Sequence, residues 1–144
     1  MSAFRSLCIA VVLLSLAGCN KLASMAGPSE LVSFGYVRPA SCERRGPISY
    51  NCVMRNYLAG LREVNMECAG FDTQGRVVGT SKSVHALMGV TMQPGEERIA
   101  TVFYEDGVST LVCVDVKDSI PPYSRMRELV SDPKAKDITS VLSL

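Results

Sequence analysis

From Glu63 to Cys68 the chain alternates strictly: Val64, Met66 and Cys68 against Glu63, Asn65 and Glu67. A period of two is that of a strand with one buried and one wet face. Asp72-Thr73-Gln74-Gly75 then supplies turn chemistry, an aspartate able to accept backbone hydrogen bonds and a glycine free to take positive φ. The chain returns through the β-prone run Arg76 to Val84. This hairpin is the best-specified element of the sequence, and the rest is read around it.

Other extended runs are spaced along the chain. Leu31 to Val37 is β-prone, with Val32, Phe34 and Tyr36 on one side and Pro39 as its stop. Ile48 to Arg55 follows a Gly46-Pro47 turn. A loop carrying His85, Met88 and Met92 leads to Gln93-Pro94-Gly95-Glu96, where Pro then Gly fits a type II turn. Arg98 to Tyr104 and Thr110 to Val116 are two more β-prone runs, and the Asp106-Gly107 between them reads as a hairpin. Runs so spaced argue for an all-β sandwich. Pro121-Pro122 breaks the sheet, and Tyr123 to Val130 reads as a short C-terminal helix with Met126, Leu129 and Val130 inward. The last stretch, Ile138 to Leu144, either adds an edge strand or runs loose.

Leu61 to Tyr104, with Phe71-Asp72-x-x-Gly75-Arg-Val-Val followed by the Met92-Gln-Pro-Gly-Glu96 turn, resembles the FxLYD-type extracytoplasmic domains. The family's Leu-Tyr-Asp is absent, since Gly70 precedes Phe71-Asp72. The resemblance implies a small immunoglobulin-like β-sandwich and brings no catalytic residues with it.

The front of the chain carries a second resemblance. Met1 to Ser6 with Arg5, an apolar run from Leu7 to Leu16 and the small pair Ala17-Gly18 have the three-part layout of an export signal. The run rises about 15 Å as a helix, half of a bilayer's hydrocarbon core, so it is not a spanning segment. Leu16-Ala17-Gly18-Cys19 resembles the lipobox of bacterial lipoprotein precursors. The resemblance implies cleavage before Cys19 and a lipid on its thiol and amine. Two or three acyl chains anchor a protein stably where one does not. Asn20, by likeness to enterobacterial lipoproteins, favours the outer membrane. The expected organisation is a signal peptide over 1–18, a lipidated N-terminus and flexible tether over 19–30, and one β-sandwich domain over 31–144.

Cys8 leaves with the signal and Cys19 takes lipid, so Cys42, Cys52, Cys68 and Cys113 remain, an even number in a compartment that allows disulfides. Four cysteines permit three pairings. Cys42–Cys52 with Cys68–Cys113 is preferred; a zinc site competes, but the spacings lack a CxxC pair.

Of the chain's 15 basic residues Arg5 leaves with the signal, and the 14 that remain balance its 14 acidic ones. That balance offers no footprint for nucleic acid. One histidine, no Gly-x-Ser-x-Gly elbow and no phosphate loop leave no constellation for catalysis. His85, Met88 and Met92 are the one metal candidate, a soft ligand set suited to Cu(I) in a periplasmic copper-binding protein. Methionines at such spacing also fill cores. The expected function is therefore that of a lipid-anchored bacterial envelope protein acting as a non-catalytic binding or structural module without a cofactor. A lipoprotein subunit of a secretion or pilus machine is the rival. Its partners are the membrane, through the lipid, and another envelope protein. The candidate contacts are an exposed sheet edge and a tip built from Arg44, Arg45 and Tyr50.

Overall fold

A computed structural model of the chain describes residues 27–115 and 122–144, with the backbone alone over 79–86. The expected signal peptide, Cys19 and most of the expected tether lie outside the described residues.

Gly35 separates the first two strands. β1 (Glu30–Phe34) and β2 (Val37–Gly46) belong to different sheets, joined by Gly35 at φ +109°. A Cβ there would lie 2.8 Å from the Cβ of Asp115, so glycine is required by both conformation and space. The run expected as one strand over 31–37 is thus split between two layers. Pro39 does not stop it either: it sits within β2, an edge strand, where a missing N–H is tolerated.

The remaining strands are β3 (Ser49–Asn56), β4 (Arg62–Phe71), β5 (Val77–Met92), β6 (Glu97–Phe103), β7 (Thr110–Asp115) and β8 (Thr139–Ser143). A helix, α1 (Tyr123–Ser131), and a 3-10 segment (Pro133–Ile138) precede β8. One sheet has the order β5-β4-β7-β1-β8 and the other β2-β3-β6. β1 runs parallel to β7, and the other pairs are antiparallel. The fold is a small all-β sandwich with one short helix, as the pattern of the sequence implies.

The β4–β5 hairpin forms as expected. Asp72 Oδ1 accepts the Gln74 and Arg76 amides, and Gly75 takes φ +76°. β5, however, does not end at Val84: the stretch expected as a loop over 85–92 continues the strand. Val64 pairs with Val90 but Asn65 with Met88, so Gly89 is an extra residue at φ +63°, a β-bulge. The bulge reverses the alternation and lets Leu87, Val90 and Met92 all pack toward the core. A broken period of two is why the sequence there does not look like a strand.

Asp106-Gly107 also differs from expectation. The turn forms, with Gly107 at φ +85°, but β6 pairs with β3 and β7 with β4 and β1. The connection crosses between sheets instead of closing a hairpin. The residue after the turn, Val108, is buried against Gly70, where an added Cβ would meet Val108 Cγ2 at 2.4 Å. This inward dive carries the chain across.

Two apolar layers result. Between the sheets lie Leu31, Val37, Met54, Val64, Met66, Leu87, Met92, Val102 and Leu111. On the other face of the five-stranded sheet Val32, Phe34, Ala69, Phe71, Val112 and Val114 pack with Met126 of α1, with Leu129 and Val130 beside them. β7, buried on both faces, reads as a nearly continuous apolar run for that reason. β8 forms the edge strand along β1, and the Leu144 amide donates to Ser29 O. The ordered domain starts ahead of Leu31: Pro28 is buried, its carbonyl accepts from the Tyr50 hydroxyl, and the Ser29 amide donates to Ser109 O.

Both preferred disulfides are present. Cys42–Cys52 and Cys68–Cys113 each join residues directly opposite one another on neighbouring antiparallel strands, within one sheet.

Candidate functional site

An open sheet edge is a row of unpaired backbone donors and acceptors, and natural proteins usually blunt it with proline, charge, bulges or shortness. Four edges exist among the described residues. β2 carries Pro39, two breaks of register and Glu43, Arg44 and Arg45. β5 carries the Gly89 bulge and further breaks. β8 is five residues long. β6 has none of these beyond its first two residues: Glu97 and Arg98 are followed by Ile99-Ala-Thr-Val-Phe103 in unbroken register with β3. Ile99 is 68% and Phe103 53% exposed on the outward face, with Val53 opposite Ile99. Thr101 between them is fixed by a 2.9 Å hydrogen bond to Asn51 Oδ1.

The expected tip is divided by the structure. Arg44 and Arg45 are exposed beside the β2–β3 turn. Tyr50 is not part of the surface: it is 5% exposed, its ring is 5.6 Å from that of Tyr104, and its hydroxyl ties down Pro28. Tyr50 points inward because it continues the core-facing set with Cys52 and Met54. Arg44 Nε donates to Gly46 O and lines a cleft of about 310 Å³ with Gly27, Pro47, Ile48, Tyr104 and Asp106. The Tyr104 hydroxyl donates to Pro47 O at 2.8 Å, and burial raises its pKa although Arg44 pulls the other way. Gly27, where the described chain begins, forms one wall of this cleft.

The opposite end of the sandwich holds charge that the motifs did not reveal. Asp115, at the end of β7, is fully buried; its Oδ2 accepts the Val37 amide at 3.1 Å and Arg62 Nε at 3.2 Å. Desolvation pushes its pKa up, with the Val37 amide and Arg62 opposing. Arg38 is 9% exposed, stacks 4.5 Å over the Tyr57 ring and donates to the carbonyls of Gly35 and Asp137. Arg55, directly opposite Arg38 in register, shares that ring at 5.7 Å and pairs with Glu97 at 3.7 Å. The signal for this cluster is a lone acid inside the apolar run Leu111-Val-Cys-Val-Asp115, which cannot be buried without a donor.

The two methionines of the copper candidate are not gathered. Met92 is fully buried in the core while Met88 is 41% exposed, the bulge at Gly89 having separated their faces. The His85 side chain lies outside the described residues. Among the described residues no three His, Cys, Asp or Glu side chains stand together to hold a metal ion.

The fold and its edges define a small disulfide-stapled β-sandwich domain. Two disulfides are the mark of an oxidising compartment, outside the cytoplasm. No helix among the described residues is long and apolar enough to cross a membrane. Comparison with protein-family models, curated proteins and solved structures finds no match to the chain.

Proposed function

We propose that the chain is a bacterial envelope lipoprotein, anchored through Cys19, whose sandwich is a non-catalytic module accepting an extended strand from another envelope protein along β6. The observation that carries the partner site is that β6 from Ile99 to Phe103 holds unbroken register with β3 and carries no proline, bulge or charge. Strand addition takes its affinity from main-chain hydrogen bonds and its selectivity from alternate side chains. Here those are Ile99 and Thr101. An anchor relaxes the affinity the edge must supply, because confinement to one membrane raises the local concentration of the partner.

In-vivo crosslinking from a photoreactive residue at Thr101 tests this reading. Defined protein adducts are expected, and they should disappear in an Ile99→Lys variant whose thermal unfolding matches that of the wild type. Unchanged adducts in that variant refute the edge. The anchor is checked separately by the mass of the mature chain, which should begin at Cys19 and carry acyl chains.

A further inference from the structure

We infer that the end of the sandwich around Gly27 rests in the phospholipid headgroup layer of the anchoring membrane, with Arg45, Ile48 and Phe103 in contact with it. This rests on lipid attachment at Cys19 as proposed above.

The short stretch between Cys19 and Gly27 limits how the domain can stand on a membrane. From Cys19 to Gly27 is eight peptide steps, which can span at most about 27 Å. β4 has ten residues, so the sandwich is roughly 33 Å along its strands. A tether shorter than the domain cannot run past it to set the Tyr57 and Leu61 end on the bilayer. The Gly27 end is therefore held close to the surface.

The surface of that end is both apolar and charged. Gly27 shares its cleft with Pro47 and Ile48 at the β2–β3 turn and with Tyr104 and Asp106 after β6. Ile48 is 47% exposed, and Phe103, whose neighbour Tyr104 donates its amide to Ile48 O at 3.0 Å, is 53% exposed. Ile48 thus lines the cleft that Gly27 walls, and Phe103 adjoins Tyr104 of the same cleft, two exposed apolar side chains of the kind an interfacial contact gains from burying. Arg44 and Arg45 stand beside them, and Glu105 and Asp106 line the same cleft. The surface is mixed in sign. It suits a headgroup carrying both phosphate and ammonium, such as phosphatidylethanolamine, better than a purely anionic one.

The contact sets the orientation of the whole domain. With the Gly27 end down, β6 stands along the membrane normal, and the Arg38, Tyr57 and Arg55 cluster faces outward.

Photoreactive residues placed singly at Ile48, Phe103, Tyr57 and Leu61 of the mature full chain test the inference, after reconstitution in phosphatidylethanolamine–phosphatidylglycerol vesicles. Phospholipid adducts are expected at 48 and 103 and not at 57 or 61, with loss of the adduct at 48 in an Arg44→Glu/Arg45→Glu background. Adducts at all four positions, at none, or only to protein at 48 and 103 overturn it. The mass of Cys19 is read in the same samples. An acylated Cys19 with no lipid adduct at 48 or 103 refutes the headgroup contact alone, whereas an unmodified Cys19 refutes the anchor and the orientation together.

Discussion

Asp115 and Arg62 meet at 3.2 Å across the end of the five-stranded sheet, and the same carboxylate oxygen accepts the amide of Val37 in the other sheet. One buried acid therefore fastens β7, β4 and β2 together. Burial is the largest influence on its pKa and raises it above 3.8. A raised native pKa means that the folded state holds the proton more tightly than the unfolded chain. The associated stability is then present below 3.8 and lost as pH rises through the native value. An Asp115→Asn variant does not titrate, so the urea midpoint of the wild type should fall relative to the variant's across that window. A pH-independent difference between the two contradicts this.

Asp72 should show the opposite sign. The Arg76 amide is the largest influence on it and lowers its pKa below 3.8. Its contribution is present above 3.8 and lost as pH falls through the native value. NMR titration of the side-chain carboxyl carbons should place Asp72 below and Asp115 above the ordinary range; the reverse order refutes both assignments.

The disulfides should differ in weight. Loop-closure entropy assigns about 4 kcal/mol to Cys68–Cys113, with a separation of 45, and about 2.7 kcal/mol to Cys42–Cys52, with a separation of 10. Replacing Cys68 and Cys113 together by Ala should lower the unfolding free energy more than replacing Cys42 and Cys52. Equal losses in equilibrium denaturation show that the loops they close do not set their value.

Gly70 and Val108 should behave as a coupled pair. Gly70→Ala forces a methyl against Val108 Cγ2 and should cost about 1–3 kcal/mol. Val108→Ala removes buried methyl groups and should cost about 2 kcal/mol. The double variant should lose clearly less than the sum, because the smaller residue at 108 receives the new methyl. Additive losses place the strain elsewhere.

Asn56 should be intolerant of a charge. Its Nδ2 donates to the carbonyls of Gly60, Met92 and Gln93, and its Oδ1 accepts the Leu58 amide. Asn56→Asp turns a donor toward three carbonyls into an acceptor and should cost roughly 3 kcal/mol at neutral pH. Acid should recover part of the loss by protonating the new carboxyl. A variant equally impaired at both pH values shows that shape, not charge, matters at this position.

Much of this architecture is legible from the chain alone because its causes are local. The alternation from Glu63 to Cys68, the turn at Asp72-Gly75 and the amphipathic spacing of Met126, Leu129 and Val130 each act within a few residues. What escapes is set by distant contacts. Gly35 divides an apparently single strand because Asp115 leaves no room for a side chain. Asp106-Gly107 has hairpin chemistry, yet Val108 finds its place against Gly70 and takes the chain to the other sheet. Tyr50 belongs to an arginine-rich stretch by sequence and to the core by register. The open β6 edge is the least legible of all, since which strands end a sheet depends on where every other strand has gone.

The position of β1 bears on how the domain carries load. Any pull arriving through Gly27 acts along β1, which is clasped by β7 on one side and β8 on the other. Force along a strand is shared by its rungs at once, whereas force across it opens them in succession. A pull entering the domain at its N-terminal side thereby loads the rungs of β1 together rather than one by one.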